Sequence, residues 1–277
     1  VLPAIQPVDT STAAFVGPVH SPTPVLLHAL ADFHGPADLH DAVKAFFENG
    51  GRRCYVASSL DQLADLPVSI LASADPALAE PMLAQCAARN DRIAILNSLP
   101  HANLSYGAAY PLFIPQIAGV YSAIDPWKSP ADVPLKGVRG PIPPPPAPPI
   151  NAIREFPGRG ILIWGARTLD TTNSDFRYIT VRRLMIYLEQ SITRGVPPQV
   201  TPPQAVSLIS DFLTTTWRAG ALQGNKPTEA FFVHAGLGTT MTQADIDNGR
   251  LIVEIGVAPV RPAEFVIVRI QPHYTKP

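Results

Sequence analysis

Three histidines, His28, His34 and His40, recur at intervals of six residues. That spacing puts them neither on one helical face nor in the pairs three or four apart that ligate a metal from a helix, so chance explains them and no metal site is expected. Cys54 and Cys86 lie in apolar segments without the electropositive neighbours that lower a thiol's pKa, and they read as small, reduced core residues. Gly158, Gly160 and Gly165 have the wrong spacing for a dinucleotide loop, and they precede a strand instead of linking a strand to a helix. Gly220–Thr228 has Asn225 where a phosphate loop needs glycine and Pro227 where the magnesium-binding hydroxyl would stand. In the acidic run Asp245, Asp247, Asn248, Glu254, a calcium loop would find Gly249 at a ligand position and Arg250 at its obligatory glycine. There is no Gly-x-Ser-x-Gly elbow either. No catalytic residue, no metal ligand set and no cofactor is therefore expected.

The bulk properties point the same way. In 277 residues, 21 basic and 22 acidic side chains nearly cancel, which leaves no field to hold a phosphate backbone or an anionic membrane. Nucleic acid is a poor partner for such a chain, while dense self-association meets little repulsion. With 46% hydrophobic and only 16% charged residues, the composition is globular with a lightly charged surface, part of which a partner would cover. No apolar stretch reaches 18 residues and no basic-then-apolar leader is visible, so neither membrane insertion nor export by a signal peptide is expected.

The elements follow from periodicity and punctuation. Thr12–Val16 is short and β-prone, between Pro7 and Gly17-Pro18, and reads as a strand ending an extended arm, free to pair outside its own domain. Leu39, Val43, Phe46 and Phe47 have helical spacing, closed by Asn49-Gly50-Gly51. Arg53–Ala57 and Val68–Ala72 read as strands; Asp75-Pro76 caps a helix with Leu78, Met82, Leu83 and Cys86 on one face, and Ile93–Leu96 is a buried strand. This is a βαβ unit. From about 100 to 157 periodicity fades, and Pro141–Pro149 holds seven prolines in nine residues, which reads as linker or surface excursion: a stiff spacer, or a ligand for an aromatic groove. Ile161–Trp164 is again a strand. Val181, Leu184, Leu188 and Ile192 mark a helix closed by Gly195, with Arg182, Arg183, Glu189 and Gln190 on its wetter side; Ala205, Leu208, Ile209 and Phe212 mark the next helix. A Thr-x-x-Asp cap opens a short helix from Thr242 to Asn248, and strands Leu251–Val257 and Glu264–Ile270 follow. The expected fold class is α/β: a mixed N-terminal portion containing βαβ, then a compact C-terminal α/β domain with terminal strands available for exchange. The expected divisions are 1–17 arm and strand, 18–100 N-terminal portion, 101–157 proline-rich loop and linker, and 158–277 C-terminal domain.

Asn151-Ala-Ile-Arg154, Gly158-Arg-Gly160, Trp164-Gly-Ala-Arg-Thr168 and Tyr178 with Val181-Arg-Arg183 closely resemble the C-terminal domain of the contractile tail sheath family. Phe212-Leu-Thr-Thr, Trp217-Arg, Gly220-Ala-Leu-Gln-Gly224, Thr240-Met-Thr-Gln-Ala-Asp-Ile-Asp-Asn-Gly-Arg250 and Pro262-Ala-Glu-Phe265 continue the likeness. In the first half, Phe46-Phe-Glu-Asn-Gly-Gly-Arg-Arg-Cys-Tyr55 and Thr12–Gly17 are similar to the family's helix-to-strand exit and leading strand. The chain departs from the family in its proline run before Asn151, in lacking the leading Pro-Gly-Val-Tyr arm, and in its shortness, which implies a core-only sheath. The resemblance implies a structural subunit that stacks as six-membered rings in a helical array around an inner tail tube and contracts to drive the tube through a target envelope. It also implies baseplate and tail-terminator partners, synthesis in a bacterial cytoplasm and residence in a virion tail or injection particle. The sheath of a type VI secretion or extracellular injection system is the alternative within the class, and an α/β nucleotide-binding enzyme the alternative outside it. The implied exchange strands are Thr12, Ala13, Ala14 and Phe15 at one end and Glu264, Phe265, Val266, Ile267, Val268, Arg269 and Ile270 at the other, the last strand pairing with a neighbour's sheet or with its own. Thr242, Asp245, Asp247, Asn248 and Arg250 resemble the tube-facing region, the plainer reading being a capped, solvated helix.

Overall fold

The computed structural model describes residues 2–19, 21–97, 104–144, 150–172 and 175–260. Its first half is a six-stranded sheet. In chain order it contains β1 (Thr12–Val16), β2 (Val25–Leu27), helix α1 (Ala37–Glu48), β3 (Arg53–Ala57), β4 (Ile70–Ser73), α2 (Ala79–Arg89), β5 (Ile93–Leu96), β6 (Gly107–Ala109) and α3 (Ile114–Ala123). The strand order is β2-β3-β1-β4-β5-β6, with β2 antiparallel to β3 and all other pairs parallel. All four residues of β4 and of β5 are buried, the pattern of parallel strands covered on both faces.

This placement corrects the reading of Thr12, Ala13, Ala14 and Phe15 as a strand to be lent. β1 sits inside the sheet with β3 on one edge (Thr12 opposite Arg53) and β4 on the other (Ala13 opposite Ile70), so both its ladders are filled within the chain. An early position in the sequence does not make a strand an edge. The apolar run Ala13-Ala14-Phe15, buried throughout, is what a central strand needs.

The supposed linker is also folded in large part. Between 101 and 157 lie β6, α3 and the whole of β7 (Ala152–Phe156). α3 is apolar nearly all round, with Ile114, Ile117, Ala118, Val120 and Tyr121 buried, and a helix without a polar face carries no amphipathic signal. It lies so close to α1 that a Cβ at Gly119 would stand 2.3 Å from the carbonyl oxygen of Phe46. Within the proline run, residues 145–149 lie outside the described residues.

The second half begins with the hairpin β7–β8 (Gly160–Trp164), antiparallel with Ala152 opposite Trp164. Helix α4 (Ile179–Gly195) and helix α5 (Pro202–Arg218) follow, α5 with a Thr201/Gln204 capping box and proline in its first turn. A single turn, α6 (Pro227–Ala230), then leads into β9 (Phe231–Ala235), α7 (Gln243–Asp247) and β10 (Val253–Val257). The two cores do not divide at residue 157. Ile153, Ile163, Leu169, Ile179 and Ile186 join the core of the first sheet, whereas Leu184, Tyr187, Leu188, Ile209, Phe212 and Leu213 form a second core that takes in Ile5 from the N-terminal arm.

α4 belongs to both cores, and this overturns the expectation that Arg182 and Arg183 face water. Helical periodicity puts charge on the solvent side, but α4 is covered on most of its circumference by two cores. Arg182 is sandwiched between the rings of Tyr106 and Phe176, at 4.3 and 3.6 Å, and donates from Nη2 to Ser105 Oγ at 2.7 Å. Arg183 donates from Nη2 to the carbonyl of Tyr121 at 2.8 Å and lies over the Tyr121 ring. Burial lowers its pKa to about 10, which leaves it charged at neutral pH. Cys54 and Cys86 are free and buried, and burial alone raises the Cys54 thiol to about 12.

At the N-terminal end of β1, the carboxylate of Asp9 accepts hydrogen bonds from Ser11, Thr12 and Arg53. Burial pushes its pKa up, but these bonds outweigh it and hold the carboxyl at about 2. A carboxyl more acidic in the folded than in the unfolded chain contributes stability that is complete above about pH 4 and is lost as pH falls toward 2. The group is partly exposed, so the contribution is about 1 kcal/mol after solvent screening. Asp9→Asn is expected to lower the melting temperature at pH 7 and to shrink its difference from the parent below pH 3, as read by circular dichroism. An equal difference at both pH values would exclude this role.

Candidate functional site

The candidate surface is the hairpin β9–β10 and what it leaves uncovered among the described residues. The strands pair antiparallel, Phe231 opposite Val257 and Ala235 opposite Val253. Alternation puts Phe231, Val233, Val253, Ile255 and Val257 on the face that packs on the second core. The other face carries Phe232, His234, Ile252 and Glu254. Phe232 covers the backbone at Gly256, where a Cβ would stand 2.0 Å from its ring, and stacks on His234 at 4.9 Å.

Among the described residues β10 pairs with β9 alone, so its far edge presents unpaired backbone groups. Beside that edge runs a groove of about 410 Å³ walled by Met185, Leu188, Ile192 and Val196 on one side and by Leu251, Val253, Ile255 and Val257 on the other. Its one charged wall residue is Glu189. Beyond β10 the chain is fastened alongside residues 221–223: Ala258 N–H donates to the Ala230 carbonyl, Gln223 N–H to that of Ala258, and Val260 N–H to that of Ala221.

The helix α7 crowns the connection between the two strands and brings Thr242, Asp245, Asp247, Asn248 and Arg250 together. Their polar groups serve the helix itself. Thr242 Oγ1 donates to Asp245 Oδ2 at 2.6 Å, Gln243 Nε2 donates to Asp247 Oδ1 at 2.8 Å, and Asn248 Nδ2 donates to the Ala244 carbonyl at 2.6 Å. Hydrogen bonding from Thr242 lowers the Asp245 pKa, and Arg250 lies 3.8 Å from the same carboxylate. Around them, Leu237, Ile246 and Ile252 are exposed; with Phe232 they make four of the five large exposed apolar residues among the described residues.

Of the expected site residues, the α7 set is thus assembled in one place, Thr12–Phe15 is inside the first sheet, and Glu264–Ile270 lies outside the described residues. The groove wall on α4 was missed. Its signal is Met185 and Val196 flanking Ile192, which widen the apolar stripe of the helix on one side, with the charged Glu189 among them. Among the described residues, no group of three or more His, Cys, Asp or Glu side chains could hold a metal ion, and no helix is long and apolar enough to cross a membrane.

Residues 171–272 match the family model described as the phage tail sheath C-terminal domain. Among solved structures, the chain is similar to the sheath complex, in its contracted state, of the extracellular contractile injection system PVC. The identity is 27% and the TM-score 0.81, over 97% of this chain and 93% of that one. It is also similar to the helical sheath of the anti-feeding prophage in its contracted state, at 29% identity and a TM-score of 0.75, over 97% and 95% of the two chains. A third likeness is to a chain of the six-fold symmetrised baseplate of the anti-feeding prophage, at 29% identity and a TM-score of 0.78, over 99% and 97%. No curated protein sequence matches the chain.

Proposed function

We propose, from the premise that this chain belongs to the tail sheath family, that it is a subunit of a contractile sheath that polymerises helically around an inner tube and shortens to drive that tube through a target envelope. The observation that carries this is the likeness to sheath subunits over almost the whole chain, reinforced by a hairpin left with an open edge and an apolar groove beside it. The whole-chain likeness to the PVC and anti-feeding prophage sheaths favours an extracellular injection particle over a phage tail. The relatives are structural proteins, and the role proposed here is mechanical, with no catalysed reaction. Copies of the chain, the tube, the baseplate and a terminator are its partners, and the particle is put together in a bacterial cytoplasm.

The open edge explains how subunits stay joined while a lattice rearranges. A strand lent by a sister copy adds main-chain hydrogen bonds to β10 and buries side chains in the groove, and a head-to-tail contact that does not close on itself propagates as a filament. Glu264–Ile270 is the strand we assign to that role. At the other end of the hairpin, the α7 residues Thr242, Asp245, Asp247, Asn248 and Arg250 face the tube. Their charges are already partnered within the helix, so they grip weakly, as a surface that must slide requires. Negative-stain microscopy of the concentrated protein, alone and mixed with the cognate tube, is expected to show striated hollow cylinders. Material that stays monodisperse in both mixtures would refute the assignment.

A further inference from the structure

The parallel strands of the first sheet stand in the order β3-β1-β4-β5-β6. Doubly wound proteins with this order take anionic nucleotides at the carboxyl ends of the first and third parallel strands, here β1 and β4. In this chain that end is acidic. α1 begins there, for a Cβ at Gly17, just after β1, would stand 3.3 Å from Leu39 Cδ2, and its first turn carries Asp38. Asp61 follows β3, and Asp75 follows β4. All three are exposed. No Lys or Arg occurs in residues 1–43, 54–88 or 93–127, stretches that include every described loop and helix start at this end. Such a rim repels a phosphate and attracts a cation. The amino end of the same sheet has the opposite sign. Asp9, Asp65 and Asp91 are each bound there to an arginine. Arg52, Lys136 and Arg139 are exposed and make no ion pair among the described residues. Arg52 stands just before β3 and donates from Nη2 to the carbonyl of Ala123, at the end of α3. Lys136 is tied to the end of α1: its N–H donates to Asn49 Oδ1 at 2.8 Å, and its carbonyl accepts from Asn49 Nδ2 at 3.1 Å. Arg139 follows in the same exposed segment.

We infer that the two ends of the first sheet are matched surfaces: the rim formed by Asp38, Asp61 and Asp75 in one copy seats against Arg52, Lys136 and Arg139 of the next. This rests on the polymer reading above and names a contact that the hairpin β9–β10 takes no part in. The occupant is a second copy because the same chain carries the complementary charge at the opposite end of the same strands. A shift along the strands, with no rotation that closes a ring, brings one end onto the other, and a heterologous contact of that kind propagates. The whole chain has a net charge of -1, so copies approach without bulk repulsion while their unlike ends attract. Exposed pairs of this sort are individually weak and screened by salt. Their effect is on orientation: like ends repel, so copies meet head to tail and not head to head.

The test reverses each end in turn and follows self-association of the full chain by sedimentation, with melting curves to verify that every variant folds. One variant carries Asp38→Lys with Asp61→Lys, Asp75 being spared because its side chain caps the N–H of Ala77. The other carries Lys136→Glu with Arg139→Glu. Each alone is expected to need about tenfold more protein than the parent to associate in low salt, since attraction at that contact becomes repulsion. Mixed one to one, the two are expected to return to within about threefold of the parent, as is a single chain bearing all four changes, because unlike ends then meet again. Raising the salt from about 0.05 M to about 0.5 M is expected to weaken the parent's association. A variant that associates like the parent, failure of either rescue, or a parent indifferent to salt would overturn the inference. If the parent forms cylinders and the variants do so equally well, only this contact is refuted; a parent that stays monomeric in low salt, with and without the tube, refutes the polymer reading as well.

Discussion

A chain ending at residue 260 is expected to fold, to melt as a cooperative unit, and to form no cylinders at any concentration at which the full chain assembles. Among the described residues, the two cores are built from residues up to Val257. What it removes is the strand proposed to close the open edge of β10. Burying Phe265, Ile267, Val266 and Val268 against a neighbour is worth roughly 1.5–3 kcal/mol for each side chain, before the cost of ordering the tail. A junction that loses this entire term loses many orders of magnitude in association constant. Far-UV circular dichroism and a melting curve would establish folding, and microscopy with sedimentation would report assembly. Cylinders of the usual diameter and abundance from the shortened chain would end the exchange reading.

Replacement of Arg183 by methionine is expected to have the largest effect on the folded monomer, a loss of about 2–4 kcal/mol. A buried cation is often a net cost, and a well-packed apolar substitute can be neutral or better. Arg183 differs because its guanidinium serves main-chain oxygens: the carbonyl of Tyr121 at 2.8 Å and, more weakly, that of Ile124 at 3.4 Å, at the end of α3. Methionine fills the space and supplies no donor, so those carbonyls are left buried without it. The neighbouring tyrosines would feel the change, since Tyr110 and Tyr121 join hydroxyl to hydroxyl at 2.9 Å and Tyr110 donates onward to the Gly165 carbonyl. Arg183→Lys is expected to recover little, because a single ammonium on a flexible stem replaces the planar fork. In a thermal melt the methionine protein should unfold roughly 5–15 °C below the parent. Melting at or above the parent's temperature would show that the charge burdens the fold instead of bracing it.

The local elements were legible because local chemistry writes them. Arg53–Ala57 and Ile93–Leu96 are continuous β-prone runs, the Asp75 carboxylate accepts a capping hydrogen bond from Ala77 N–H, and Thr242 with Asp245 forms the box its spacing announces. Where the sequence misled, the cause was the same each time: burial from a distant part of the chain. α3 lacks a polar face because α1 and the sheet surround it, and Arg182 and Arg183 are drawn inward because α4 lies between two cores and aromatic rings take up their charge. Thr12–Phe15 looked like a free arm because nothing local records that β3 and β4, forty and more residues later, close on both its edges.

Residue order along the chain thus determined the class of the protein: a nearly neutral α/β chain without a reactive constellation, bearing the sheath family's C-terminal motifs and a capped charged turn near its end. Which strand is central, which edge is unpaired among the described residues, and that Glu189 stands on the wall of a groove were decided only in three dimensions. Periodicity reports one face of one element at a time, whereas an edge or a groove exists only between elements that the sequence keeps far apart.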